Sequence, residues 1–175
     1  MFKSSFTLPL LHILAAVAFT AVFGVAAAKS LSGEVVGLAD GDTLTVLDDA
    51  KSQHKVRLAG IDAPEKKQTY GSRSRQSLSA MVFRKHVVVD WKKTDRYGRI
   101  VGKVLVGEVD AGLEQVARGM AWHYKAYVRE QSAEDRTSYA AAEEQARSER
   151  RGLWREPQPT APWEFRRSLA AHQTD

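Results

Sequence analysis

Charged residues gather beside turn residues in three stretches: Asp40-Gly41-Asp42-Thr43, Arg57-Leu58-Ala59-Gly60-Ile61-Asp62-Ala63-Pro64-Glu65 and Asp95-Arg96-Tyr97-Gly98-Arg99. Strand ends and turns are where a rigid scaffold tends to display reactive groups. Asp42, Asp62 and Glu65 offer carboxylates, these stretches hold no histidine, and the chain has no cysteine. Hard oxygen donors of this kind suit Ca²⁺, Mg²⁺ or Mn²⁺ better than Zn²⁺. The first stretch is not an EF-hand loop, because Leu44 and Val46 stand where oxygen ligands are needed and no closing glutamate follows. Arg57 falls in a segment that otherwise alternates toward a core, where charge goes only if it is paired or used. Arg57 and Arg99 carry planar guanidinium forks that match phosphate oxygens in bidentate fashion. Taken singly, Asp-Gly-Asp is turn chemistry, Arg57 a strand-edge ion pair and Arg99 a solvated charge. Carboxylates for a hard cation, two arginines suited to the charge a phosphodiester gains during hydrolysis, and a spare glutamate become improbable as coincidence only when taken together.

These groups need a scaffold. Residues 31–38, 43–47 and 54–61 read as strands, rich in Val and Leu or alternating apolar with polar, and separated by Asp-Gly-Asp and Asp-Asp turns. Val56, Leu58 and Ile61 are the expected inward positions. Residues 62–69 form a polar loop stiffened by Pro64. Tyr70, Ser74, Leu78 and Val82 recur at helical spacing, which predicts a helix over 70–84. Strands follow at 86–91 and 100–106, joined by the turn at 95–98. Val109, Leu113, Val116, Ala117 and Met120 trace a second helical face, with Gly119 placed to cap it. Ser132 and Asp135 form an S-x-x-D box that opens a third, alanine-rich helix running to about Arg150, which Gly152 ends. Five short strands with three helices predict a small β-barrel of the OB type. Pro157, Pro159 and Pro162 then mark a tail carrying Trp163, Phe165, Arg166 and Arg167, read equally as a loose end or as a segment packed back through its aromatics.

The first 28 residues stand apart. Lys3 is their only Lys, Arg, Asp or Glu, an apolar run occupies positions 8–28, and Val25-Ala26-Ala27-Ala28 ends it with small residues. This is the pattern of an export signal cleaved after Ala28. The alternative is a retained membrane anchor, since the run is about long enough to span a bilayer. The expected division is therefore 1–28 signal, 29–155 barrel domain and 156–175 C-terminal extension, with the mature chain in the periplasm or the medium. The full chain has 175 residues, 43% hydrophobic and 27% charged, and a net charge of +5. Those fractions describe a globular protein with room for a real core, and they exclude disordered and collagenous classes. Without cysteine there are no disulfides, thiolate metal sites or thiol nucleophiles. Basic residues also group at Lys66-Lys67, Arg84-Lys85, Lys92-Lys93 and Arg147–Arg151. Some of these are candidates for tracking a nucleic-acid backbone. The last run, mixed with Glu149, reads better as a solvated face.

With these stretches in order, the chain resembles the thermonuclease, or staphylococcal-nuclease-like, family. The likeness extends through Gln68-Thr69-Tyr70-Gly71 and Val116-Ala117-Arg118-Gly119-Met120-Ala121 into Glu143–Trp154, covering about residues 31–155. The tail Pro162-Trp163-Glu164-Phe165-Arg166-Arg167 also resembles that of secreted bacterial members. The resemblance implies an OB-fold barrel with three helices and a Ca²⁺-dependent endonuclease acting on DNA and RNA, cutting on the 5′-oxygen side to leave 3′-phosphates. By the same resemblance, Asp42 and Asp62 are calcium carboxylates and Ala63 lends a backbone carbonyl. Arg57 and Arg99 bind phosphate, Glu65 serves as general base or water-ordering group, and Tyr124 and Tyr127 flank the nucleotide. Stacking on Tyr124, Tyr127 or Trp122 favours single strands, although aromatics there also fit a core role. A monomer with no stable protein partner is implied, bound to a membrane only if residues 1–28 are retained. The rival is a catalytically weak OB-fold nucleic-acid-binding module, against which stands the presence of all five expected charged side chains.

Overall fold

The computed structural model describes residues 29–171. The expected signal segment, 1–28, lies outside the described residues. Strands β1 (Lys29–Leu38), β2 (Thr43–Leu47) and β3 (Gln53–Leu58) form an antiparallel meander. Alternation drives it: Val35, Leu44, Val46, Val56 and Leu58 turn inward and are buried. A register shift between Val35 and Gly37 bends β1, so that one end pairs with β2 and the other with β5 (His86–Thr94). Strand β6 (Ile100–Val106) pairs antiparallel with β5 and parallel with β3, through Val56–Ile100, Arg57–Val101 and Leu58–Gly102. This last pairing closes a five-stranded mixed barrel in the order β3-β2-β1-β5-β6, the OB-type architecture expected from the strand pattern.

The third expected strand is shorter than its apolar pattern. It stops at Leu58, and the chain turns through Ala59 and Gly60 into a separate strand β4 (Ile61–Asp62). Gly60 takes a positive φ of 75° there, a conformation that glycine adopts without strain. Helix α1 (Gly71–Val82) buries Ser74, Leu78 and Val82 at the expected spacing. Strand β7 (Val109–Asp110) extends the sheet beside β6, and helix α2 follows over Ala111–Ala117. Val109 was expected on the inner face of that helix but lies outside it, 54% exposed. The reason is Asp110, whose side chain accepts from the Gly112 and Leu113 N–H groups and so fixes the helix start after itself. Gly119 does follow the helix end with φ 66°. Strand β8 (Trp122–His123) pairs with β4, a 3₁₀ turn follows over Lys125–Glu130, and α3 runs from Ala133 to Ser148. Ser132 caps α3 by accepting from the Asp135 N–H, as the S-x-x-D pattern predicts.

A 3₁₀ turn at Gly152–Arg155 leads to a fourth helix, α4 (Pro162–Ala171), beyond the three expected. Proline at its first position is pre-set for a helix start. The helix sits on the domain through buried Ala161 and Pro162, and through Trp163 against Trp122 at 5.5 Å between ring centroids. Trp122 and Trp154 in turn meet edge-on at 4.4 Å, with Ala146 and Leu153 in the same small apolar cluster. Trp122 therefore serves packing rather than an open stacking face. Arg147 lies 4.0 Å over the Trp154 ring, and Arg151 donates to the Ala117 carbonyl. The 147–151 run thus contributes to packing as well as to surface charge.

Candidate active site

Register brings the three charged stretches to one end of the barrel. Thr43 of β2 lies opposite Arg57 of β3, and Arg57 lies opposite Val101 of β6, two residues beyond Arg99. The loop before β2 is pressed against α1: a Cβ at Gly41 would overlap Ser74 Oγ and crowd the Ala63 Cβ. A side chain at that position would push the Asp42 backbone away from Ala63.

Asp42 and Asp62 are 5% and 1% exposed, and both face Arg57. The Arg57 Nη1 pairs with Asp42 Oδ2, while Nη2 donates to Asp62 Oδ1 at 2.9 Å and to the Ile61 carbonyl at 3.2 Å. Asp42 also accepts from the Ala63 N–H at 2.7 Å and from the Thr43 hydroxyl at 3.0 Å. Burial works to raise the pKa of Asp42, but Arg57 and the Ala63 N–H outweigh it and hold the carboxyl below the ordinary carboxylate range. At Asp62 burial prevails over Arg166 and Arg57, and its pKa rises. Burial also opposes the charge on Arg57, yet Asp42 and Asp62 raise its pKa and keep it cationic.

Arg99 reaches the same end from the turn after β5. Its Nε donates to Asp95 Oδ2 at 2.8 Å and its Nη1 to Thr43 Oγ1 at 3.4 Å. Asp95 also accepts from the Tyr97 and Arg99 N–H groups, which fixes the turn that aims Arg99. Glu65 stands on the loop after β4. Its N–H donates to Gln68 Oε1 and its carbonyl accepts from the Gln68 N–H, so Gln68 shapes that loop. Ala63, expected to lend a carbonyl, makes its observed contact with the site through its N–H on Asp42.

Tyr124 is tied to the site by its N–H, which donates to the Gly60 carbonyl just before β4. Tyr127 meets Tyr124 edge-on at 5.4 Å, is 54% exposed and has Lys93 Nζ 5.0 Å over its ring. Trp163 of α4 also lies against Tyr124, 5.4 Å between ring centroids.

Asp40 and Arg166 also reach the site, and neither is among the site residues expected from the sequence. Asp40 Oδ1 accepts from the Asp42 N–H and braces the turn, and its pKa rises to about 6 through burial and the neighbouring Asp42 charge. The turn role follows from the Asp-Gly-Asp motif, whereas the raised pKa depends on burial that the motif does not reveal. Arg166 donates to both Asp62 oxygens, at 3.3 and 2.8 Å, and to Glu65 Oε1 at 2.8 Å. No local pattern predicts a contact spanning 104 residues.

Among the described residues, no three His, Asp or Glu side chains converge into a ready-made cation cage. The donor set still fits a hard cation. Asp42 and Asp62 are acceptor-only oxygens drawn to a single guanidinium, and burial penalises the negative charge of each. One or two carboxylates completed by water and phosphate oxygens are an ordinary way to hold Mg²⁺, and Ca²⁺ likewise takes waters and carbonyls among its oxygens.

Residues 55–156 match the family described as staphylococcal nuclease homologue. The chain is 46% identical over 148 residues to "Protein ParB" of Escherichia coli, covering 78% of this chain and 80% of that protein. It is 40% identical over 162 residues to "Micrococcal nuclease" of Shigella flexneri, covering 87% and 90%. An "Uncharacterized endonuclease" of Haemophilus influenzae is 41% identical over 133 residues, covering 76% and 71%. The family match begins after Asp42, and the contacts of Arg57 join that earlier motif to the matched region.

Proposed function

The chain belongs to the staphylococcal nuclease family and is a nuclease, and we propose that it is a Ca²⁺-dependent endonuclease that hydrolyses DNA and RNA on the 5′-oxygen side to leave 3′-phosphates. One observation carries the reading: two buried aspartates share Arg57, with Glu65 on the adjoining loop and Arg99 linked through Thr43.

In this reading Arg57 from β3 and Arg99 from the turn after β5 receive the scissile phosphate and oppose the charge that grows on its oxygens during attack. Glu65 takes the proton of the attacking water or holds that water in line. Asp42, Asp62 and the Ala63 carbonyl would hold calcium, which when bound supplies positive charge against the phosphate. Asp95 fixes the direction of Arg99, and the Ala63 N–H fixes Asp42, so the charged set is positioned before substrate arrives. Tyr124 and Tyr127 receive a base on the side of β4, which favours single-stranded substrate. The exposed Lys66 and Lys67 follow the active-site loop and are placed to meet the backbone beyond the cut. We further propose an exported monomer, cleaved after Ala28 and released to the periplasm or the medium.

The test is cleavage of end-labelled single-stranded DNA by the purified protein, with calcium and with excess chelator. Cleavage that the chelator abolishes, with 3′-phosphate ends, supports the proposal. Salt-sensitive binding without cleavage would make the chain a binding module, and cleavage indifferent to chelator would remove calcium from the reading. N-terminal sequencing of the exported protein checks the cleavage position, and a start at Met1 would overturn it.

A further inference from the structure

Helix α4 places two side chains, three residues apart, against two parts of the candidate site. Arg166 fills both oxygens of Asp62 and one of Glu65. Trp163 lies against Tyr124, with 5.4 Å between centroids and 32° between planes. Residues three apart share a helix face, so a single docking event sets both contacts. The helix approach is fixed by Gln68, whose Nε2 donates to the Thr160 carbonyl at 2.6 Å while its Oε1 accepts from the Glu65 N–H. The residue that shapes the Glu65 loop therefore also holds the start of the helix covering it.

Each contact takes something the proposed reaction requires. Asp62 has both oxygens engaged by guanidinium groups, Arg57 on one and Arg166 across both. A cation that binds Asp62 shares its oxygens with these two guanidinium charges, and their repulsion favours the departure of one of them. The Arg57 side chain is 16% exposed and also paired with Asp42, whereas the Arg166 side chain is 44% exposed and can swing into water. Arg166 is the one that yields. Trp163 and Tyr124 are already in ring contact, so a base stacks on that face of Tyr124 only after Trp163 leaves.

We propose that α4 is an internal latch, with Arg166 standing against a divalent cation at Asp62 and Glu65 and Trp163 standing against a nucleobase at Tyr124. Calcium and single-stranded nucleic acid displace the same helix, so each makes room for the other. The inference rests on the calcium reading of Asp42 and Asp62, and it assigns the C-terminal extension a regulatory part. In linkage terms, a ligand that must first open a closed form binds more weakly by the fraction of open form. Loosening the latch removes that penalty.

The experiment is calorimetric titration of calcium alone into the full chain, Arg166→Ala and Trp163→Ala, each checked for folding by circular dichroism. Trp163→Ala touches no carboxylate, so it separates release of the helix from simple removal of a positive charge. Both variants are expected to bind calcium more tightly, Arg166→Ala by about tenfold, in line with a partly exposed charged hydrogen bond. Calcium is also expected to shift the tryptophan emission of the unaltered chain, a shift reduced in Trp163→Phe. Calcium binding of unchanged or weaker affinity in Arg166→Ala would overturn the latch while leaving the calcium site intact. Tighter binding in Arg166→Ala alone, with Trp163→Ala unchanged, would reduce the effect to local charge and also overturn it. Absence of calcium binding in all three chains would overturn the calcium reading and the latch together.

Discussion

Two clusters of buried carboxylate chemistry satisfy their oxygens in different ways. Asp110 caps α2, with Oδ1 accepting from the Gly112 and Leu113 N–H groups. Its Oδ2 accepts from the Tyr139 hydroxyl of α3 at 2.8 Å, and Lys103 bridges toward Asp110 and Asp135. Burial and the Asp110 charge push the Tyr139 phenol far above its ordinary range, so it remains a donor. Two of these donors are main-chain groups of the helix being capped, and the third is a packed phenol. At Asp62 the oxygens are held by the long-stemmed Arg57 and Arg166. Main-chain donors cannot leave without unwinding an element, whereas a guanidinium can exchange its place with a cation or a phosphate. The first cluster joins α2, α3 and β6, and the second is available for chemistry.

Substitutions in the two clusters should separate rate from stability. Glu65→Gln, which keeps shape but not basicity, is expected to cut the cleavage rate by about 10²- to 10⁴-fold, with the thermal midpoint nearly unmoved. A rate within a few-fold of the unaltered enzyme would remove Glu65 from the proton step. Arg99→Ala is expected to cost on the order of 10²-fold in rate, read as kcat on a saturating substrate. If the loss appeared only in KM, Arg99 would be a binding group rather than one that opposes developing charge. Asp110→Ala should do the reverse, losing about 1–3 kcal/mol of stability through the lost cap and the orphaned phenol. Specific activity of its folded fraction should be retained, and a rate loss at constant stability would break the contrast. The smallest effect belongs to Asp48, a half-buried carboxylate at the β2–β3 turn that bonds His54 and accepts from the Ser52 N–H. His54 and the Ser52 N–H lower its pKa below 3.8. A depressed pKa stabilises the fold above the unfolded value and loses that contribution as pH falls through the folded one. Asp48→Asn should therefore lower the thermal midpoint slightly near neutrality and no longer do so in acid well below 3.8. A difference that persists unchanged in acid would deny the carboxylate that role.

The barrel strands were legible because burial on one face imposes a period of two, and Val35, Val46, Val56 and Val89 obey it. The Ser132 cap and the Gly119 turn were legible because each is decided within a few residues. Helix α2 was misplaced at its start because Val109 fits a helical stripe, while the Asp110 side chain, serving as a cap, excludes it. At the site, Asp42, Arg57, Asp62, Glu65 and Arg99 stand out as charges at strand ends and turns, but their separate roles come from the family likeness, since spacing alone cannot reveal the parallel β3–β6 pairing that brings Arg99 near Thr43. Arg166 escaped because its partners lie about a hundred residues earlier and its helix follows a run of prolines. Periodicity carries no information about which distant surface a short terminal helix will meet.

The closing pairing of β3 with β6 also sets when the enzyme can first work. A chain emerging from the ribosome only as far as β5 already carries Asp42, Arg57, Asp62 and Glu65, yet it has neither Arg99 nor the strand that holds β3 in place. On the roles proposed for these side chains, hydrolytic competence would arrive only once β6 has joined β3 and Arg99 has reached Thr43. During refolding, recovered cleavage should lag the recovered helical signal by the time the barrel takes to close.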